Sequence, residues 1–207
     1  MKKMRTKELR TMQMMIRSEP SNETDDGKMI VEGYAAVFNS PTLIYESPYT
    51  GYRYMETIAA GAFVGADMGR TVLKYNHCDN GLVLARTSNG TLHLETDAKG
   101  LHMRAELAPT TQGRDIYALI QRGDLDKMSF AFTVAEDEEN DSHDTKEFLR
   151  TIKRFDTVYD VSVVDFPAYD DTSITARNNE DSYFQQLDDA RRHDARQRLR
   201  LRLMSMC

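Results

Sequence analysis

The sequence has few features of a secreted or membrane protein. It has only two cysteines, Cys78 and the C-terminal Cys207, and no tryptophan in 207 residues. Two cysteines cannot form a disulfide framework, and their scarcity favours a reducing cytoplasm. No apolar run approaches the roughly 20 residues that a membrane-spanning helix needs. The basic N-terminus also lacks the apolar stretch of a signal peptide. We therefore expect a cytoplasmic protein that has no membrane partner.

Motifs that hold cofactors or metals are also missing. There is no glycine-rich phosphate loop, and no His or Cys spacing resembles a zinc site. The acidic run at 135–147 lacks the glycine and ligand spacing of a calcium-binding EF-hand, so a solvated loop between two strands is the favoured interpretation. The net charge of −6 argues against general nucleic-acid binding, although residues 191–202 are strongly basic. We expect no cofactor, no metal and no specific nucleic-acid partner.

Hydrophobic periodicity predicts a mainly β protein. Segments with strand character lie at 9–17 (or a short helix there), 29–38, 71–77, 82–86, 91–96, 101–107, 127–134, 148–155 and 158–166. Asn89-Gly90 favours a hairpin, and residues 39–54 lack a clear period. Pro109 to Gly123 has the start, apolar stripe and stop of one helix. The count favours an α+β fold: a closed or nearly closed antiparallel barrel, or a sandwich, with helices outside.

The same pattern predicts how the chain is divided. Breakers at 20–28 indicate a turn, and Gly33 indicates a bulge or close backbone approach in its strand. Beyond residue 170 the strand pattern weakens, and 181–204 has helical composition. We expect a domain over residues 1–176 and a basic, partly helical tail over 177–207.

A histidine and a serine on two of the strand-like runs form a candidate catalytic pair. In the run that contains Ser129, the neighbours Met128, Phe130 and Phe132 share the opposite face, which must be buried. Ser129 then lies among small residues on a rigid strand, where an imidazole such as that of His77 would activate it. The alternative is that Ser129 is an ordinary strand serine and His77 lies on a surface turn.

A carboxylate is needed to orient such a histidine, and two are available. Asp160 shares a strand face with Val158, Ser162 and Val164, and an acid among valines is costly unless it is paired. Asp165 is the second candidate. A strand-edge aspartate that faces water fits the pattern equally well. Cys78 adjoins His77 but points to the other strand face, so a cysteine nucleophile is disfavoured.

The chain resembles the prohead proteases of tailed bacteriophages, which are related in fold to the herpesvirus capsid maturation protease, assemblin. Six segments resemble the family's motifs in the family's order over residues 8–176. They are Glu-Gly-Tyr-Ala-Ala-Val-Phe-Asn (32–39), Ile-Ala-Ala-Gly-Ala-Phe (58–63), Tyr-Asn-His (75–77), Lys-Gly-Leu (99–101), Met-Ser-Phe-Ala-Phe (128–132), and Tyr-Asp-Val-Ser-Val-Val (159–164) followed by Phe-Pro-Ala-Tyr (166–169).

This resemblance implies catalytic roles for three residues. Ser129 corresponds to the nucleophile, His77 to the general base and Asp160 to the third member. The family usually has glutamate at the third position, so the shorter Asp160 is a departure, and Ala131 stands where the family often has glycine. The family's oxyanion donors leave no residue signature in the sequence.

The resemblance also implies a function. It predicts a serine endopeptidase that cleaves the scaffold segment of the major capsid protein, and itself, during prohead maturation. The enzyme would act inside the assembling prohead in the host cytoplasm and self-associate as a homodimer. The alternative is a catalytically decayed scaffold or capsid-assembly protein with the same barrel, which only the aspartate at position 160 favours. A hydrolase that uses Cys78 is a third possibility.

Overall fold

The computed structural model describes residues 7–12, 17–18, 28–165 and 182–204 of the chain. The strands are β1 (Glu8–Met12), β2 (Arg17–Ser18), β3 (Ile30–Val37), β4 (Thr42–Glu46), β5 (Arg53–Ile58), β6 (Val72–Tyr75), β7 (Ala85–Arg86), β8 (Leu92–Thr96), β9 (Gly100–Glu106), β10 (Lys127–Ser142) and β11 (Glu147–Val164), and the helices are α1 (Thr111–Arg122) and α2 (Ser182–Met204). The described residues are therefore mainly β with two helices, as the sequence predicts.

The strands form two sheets. The larger, seven-stranded sheet has the order β1-β10-β11-β5-β4, with β6 pairing with β11 and β7 pairing with β6. The smaller sheet has the order β2-β3-β9-β8. β11 is antiparallel to β10 but parallel to both β5 and β6, which lie successively along its other edge. This shared edge brings the chain after β6 close to β10, and it determines where the candidate site forms.

The predicted closed or nearly closed antiparallel barrel is not found among the described residues. Two separate sheets take its place, and the larger one contains parallel pairs. The sequence shows each strand's own alternation but not its partner, so it predicts strands more reliably than closure. The relation of the fold to the herpesvirus protease remains an expectation.

The individual elements differ in how well the sequence predicts them. α1 is confirmed, with the Thr110 side chain accepting a bond from the Gly113 backbone N–H at 3.0 Å and Gly123 ending the helix in a left-handed conformation. The Asn89-Gly90 hairpin is wrong, because Thr87–Asn89 forms a 3₁₀ turn and β8 pairs with β9 instead. Residues 39–54 are not wholly irregular, since they contain β4 and the start of β5.

The acidic run is also not simply a loop. β10 continues through it to Ser142, pairs with β11 along its length, and turns only at residues 143–146. β11 is one long strand where the sequence suggests two. The predicted turn at 20–28 falls almost entirely outside the described residues, as does the proposed boundary at 176–177.

The main hydrophobic core joins the two sheets and α1. It contains Phe130, Phe132 and Phe155 from the larger sheet, Met103 from the smaller sheet, and Ile116 from α1. A second, smaller cluster forms where Phe184, near the start of α2, packs against Tyr54 and Phe148 of the larger sheet. The Asp188 carboxylate accepts a bond from Ser47 Oγ at 2.7 Å and anchors the helix there. No helix among the described residues is long and apolar enough to cross a membrane.

Candidate active site

β10 and β11 carry two of the three candidate residues on directly paired strands. Ser129 lies opposite Ser162, and Ala131 lies opposite Asp160. Asp160 is therefore diagonal to Ser129 on the same face of the pair, within reach of a side chain between them. Ser129 and Asp160 are both almost completely buried.

An irregularity in β11 determines which face Asp160 occupies. The register shifts so that Ala131 pairs with Asp160 but Phe132 pairs with Val158, leaving Tyr159 as an extra residue. Val158 and Val161 consequently both lie in the hydrophobic core, whereas Asp160 lies on the face of Ser129. The prediction that Val158 shares a face with Asp160 is therefore wrong, because a β-bulge interrupts the two-residue period.

His77 lies two residues beyond the end of β6, not on the strand as the sequence predicts. Asn76 and His77 both have left-handed backbones, with φ of 50° and 52°. The Asn76 backbone N–H donates to the Val163 carbonyl at 3.0 Å, and the His77 backbone N–H donates to Ser162 Oγ at 3.2 Å. These bonds hold the turn against β11. The turn places the imidazole over β11 and toward β10.

The three predicted residues meet in the order carboxylate, imidazole, hydroxyl. His77 Nδ1 lies 2.5 Å from Asp160 Oδ1, and His77 Nε2 lies 2.6 Å from Ser129 Oγ. A carboxylate at Nδ1 favours the tautomer in which Nδ1 carries the proton and Nε2 can accept the serine proton. An arrangement of this kind can activate the serine hydroxyl as a nucleophile.

The surroundings of Asp160 keep it ionised. Burial alone would raise its pKa, but the hydrogen bond and charge of His77, together with the charges of Lys7 and Lys74, lower the pKa below its usual range. The Lys7 ammonium lies 3.5 Å from Asp160 Oδ2. Asp160 is thus a charged acceptor that can stabilise a protonated imidazole.

Ser162 also belongs to the site. The sequence predicts its place on the face of Asp160 but indicates no role for it. Its hydroxyl donates to Asp160 Oδ1 at 3.1 Å and accepts from the His77 backbone N–H. It therefore links Asp160 to the turn that carries His77. The signal in the sequence was its position two residues after Asp160, which puts both side chains on one strand face.

The other candidates lie elsewhere. Asp165 accepts a bond from the Tyr75 hydroxyl at 3.1 Å, and its backbone N–H donates to the Asn76 side chain at 3.3 Å. Cys78 is an exposed free thiol next to His77. Among the described residues, no group of three His, Cys, Asp or Glu side chains is arranged to hold a metal ion.

The N-terminal strand borders the site directly. β1 pairs antiparallel with β10, which places Thr11 opposite Ser129 and Arg10 opposite Phe130. Ser129 Oγ lies 2.9 Å from the Arg10 carbonyl oxygen, at donor–acceptor distance, and Ser129 has no exposed surface. The Arg10 side chain is itself buried and bonds Glu56 through Nε at 2.6 Å and through Nη2 at 3.0 Å.

Comparison with known proteins agrees with the motifs in the sequence. The prohead protease of Enterobacteria phage HK97 is 31% identical in an alignment of 163 residues that covers 76% of this chain and 64% of that protein. The chain thus spans just under two thirds of the length of this relative. No solved structure matches the chain. The model of the caudovirus prohead serine protease family matches residues 16–186, and the chain belongs to that family.

Proposed function

We propose that this protein is a serine endopeptidase in which Ser129 is the nucleophile, His77 the general base and Asp160 the residue that orients and stabilises the imidazole. The observation that carries the proposal is the continuous contact of the three side chains, at 2.5 Å and 2.6 Å. Family membership supports the same assignment, because the matched region contains all three residues.

The chemistry follows from the arrangement. Ser129 Oγ attacks the carbonyl carbon of a peptide bond while His77 Nε2 takes the hydroxyl proton. The protonated imidazole, stabilised by the Asp160 carboxylate, then gives that proton to the leaving amine, and an ester to Ser129 remains. Water next attacks the ester while Nε2 takes a proton from that water, and Nε2 gives this proton to Ser129 Oγ as the bond between the acyl carbon and Oγ breaks. The second product leaves with a free carboxylate, and the serine hydroxyl is restored.

The alternative of a decayed scaffold or capsid-assembly protein depended on aspartate being too short to reach the histidine. The turn at residues 76–77 compensates for the missing methylene, since Nδ1 lies at hydrogen-bonding distance from Asp160. Buried ion pairs and hydrogen bonds of this kind are costly to form, so a chain that no longer used them would be expected to lose them. The geometry therefore favours the enzyme.

Family membership supports a proposal for the substrate and for the place where the protein acts. The HK97 relative is named a prohead protease, and we propose that this chain likewise acts within the assembling prohead, in the cytoplasm of the host. Its substrates would be the scaffold segment of the major capsid protein and the protease itself. The same proposal includes self-association as a homodimer and a division of the chain into a protease domain (1–176) and a basic, partly helical tail (177–207).

The decisive experiment is labelling with a fluorophosphonate, which reacts with an activated serine and needs no knowledge of the cleavage site. Mass spectrometry after prolonged incubation should locate the probe on Ser129. Labelling should be lost in Ser129→Ala and unchanged in the matched variant Ser88→Ala, which alters an exposed serine of the 3₁₀ turn. Equal labelling of Ser129→Ala and the unchanged chain would reject Ser129 as the nucleophile.

A further inference from the structure

The segment of residues 7–12, which contains β1, contacts two of the three proposed catalytic residues and lies outside the family match. Ser129 Oγ lies 2.9 Å from the Arg10 carbonyl oxygen, and Lys7, just before the strand, lies 3.5 Å from Asp160. The family match begins only at residue 16. β1 is also an edge strand of the larger sheet. Its removal would expose one edge of β10 and leave the pairing of the other strands intact.

The contact with Arg10 competes with the proton transfer from Ser129 to His77. A serine hydroxyl has one proton, and here two acceptors lie within reach, His77 Nε2 at 2.6 Å and the Arg10 carbonyl at 2.9 Å. When the proton is donated to Arg10, Nε2 does not receive it, and His77 cannot act as the base. A peptide that is to be cleaved must also bring its carbonyl carbon to Oγ, in the space next to the β1 backbone.

The side chain of Arg10 anchors β1 in a pocket. Arg10 is buried against Glu56, and its guanidinium lies 5.6 Å from the ring centre of Phe132 and 5.8 Å from that of Phe184. Glu8 joins the same cluster through bonds to Arg10 and to Arg150. Without β1, the Glu56 carboxylate would keep its bond to Arg150 at 3.1 Å, and it would face the space beside Phe132 and Phe184 that the Arg10 guanidinium now fills.

We propose that β1 occupies, within its own chain, the position at which an extended peptide substrate pairs with β10, and that the Glu56 pocket accepts a basic side chain of that peptide. The inference rests on the proposed function. β1 then holds the enzyme inactive until it leaves, and an extended segment with arginine at the position of Arg10 takes its place by strand addition. The alternative is that β1 is a permanent strand of the fold, which does not leave during catalysis.

The first test weakens β1 in the full chain. Arg10→Ala removes the anchor while Arg150 still pairs Glu56, so the fold should persist, and the rate of fluorophosphonate labelling of Ser129 should rise about tenfold or more. Arg10→Lys retains the positive charge but not the bidentate contact with Glu56. Its labelling rate should lie between those of Arg10→Ala and the unchanged chain. Arg70→Ala, at an exposed arginine, should label at the unchanged rate.

A peptide tests the pocket directly. Lys-Glu-Leu-Arg-Thr-Met, the sequence of residues 7–12, should slow the labelling of Arg10→Ala, whereas the same peptide with alanine in place of arginine should slow it several-fold less at equal concentration. Equal effects of the two peptides would show that no basic side chain is recognised.

Hydrogen exchange gives a readout that does not depend on any variant. Attaching the probe to Ser129 in the unchanged chain should increase amide exchange in β1, because probe and strand compete for one space, and leave β9 unchanged. If Arg10→Ala labels no faster than the unchanged chain and β1 stays protected after labelling, β1 is a permanent strand and the inference fails while the protease proposal stands. If neither chain is labelled at all, the proposed function itself fails and takes this inference with it.

Discussion

Replacing Asp160 with asparagine tests the electrostatic part of the site while keeping its shape. In the structure Asp160 Oδ1 accepts bonds from both His77 Nδ1 and Ser162 Oγ, and Oδ2 faces the Lys7 ammonium. The amide oxygen of asparagine can keep both donors if it lies at the Oδ1 position. The change then removes a negative charge next to the imidazole without removing either hydrogen bond.

The size of the effect follows from the charge that is lost. A protonated imidazole and a carboxylate whose charges are about 4 Å apart attract by about 4 kcal/mol at an effective dielectric constant of about 20. Losing that stabilisation when His77 takes the serine proton corresponds to a rate reduction of about 10³-fold. If the amide turned its NH₂ group toward Nδ1, the wrong tautomer would form and the loss would reach about 10⁴-fold.

The assay is the second-order rate of fluorophosphonate labelling of Ser129, followed by mass spectrometry in Asp160→Asn and in the unchanged chain. Asp165→Asn is the matched control, since Asp165 bonds Tyr75 rather than His77, and it should react within about threefold of the unchanged chain. A rate for Asp160→Asn that is also within about threefold would refute the reasoning, and a large loss in the control would transfer the role to Asp165.

Two further predictions concern the same network. Ser162→Ala should reduce the labelling rate about tenfold, since a hydroxyl bonded to a charged group is lost. Ser162→Thr keeps a hydroxyl and should recover part of the lost rate. An equal loss of rate in both variants, with an equal fall in melting temperature, would assign Ser162 a purely structural role. For pH, the pKa of Asp160 is lowered in the folded protein, so the stability its carboxylate provides is complete above the ordinary aspartate value of about 3.9 and is lost as the pH falls through the lower folded pKa. The free energy of unfolding of the unchanged chain relative to Asp160→Asn, from urea titrations between about pH 6 and about pH 3, should therefore decrease on acidification, and a constant or growing difference would contradict the pairing.

The sequence predicts the local features of this protein well, because these depend on neighbouring residues. The boundaries of α1 follow from Thr110 and Gly123, and the strand that carries Ser129 follows from alternation. The family motifs identify His77, Ser129 and Asp160, and the structure brings these three together. Whether they carry out catalysis remains a prediction.

The features that the sequence does not predict depend on distant residues. The parallel pairing of β6 with β11, which brings His77 to the site, has no local signal. The bulge at Tyr159 changes the face of Val158 without changing the composition of the strand. The contact of Arg10 with Ser129 joins residues 119 positions apart in the sequence, so neither segment alone indicates it. Closure into a barrel failed as a prediction for the same reason, since it assumed strand partners that the pattern does not contain.

The pairing of Ser129 with Ser162 has a mechanical consequence. Ser129 and Asp160 lie two residue pairs apart on the antiparallel strands β10 and β11, so a movement of this strand pair as a unit carries both side chains together and preserves their spacing. The imidazole of His77 comes from a different part of the chain, a turn after β6 in which Asn76 and His77 both have left-handed backbones. Backbone bonds from Asn76 and His77 tie this turn to β11, so β11 is the common frame that fixes the positions of all three side chains.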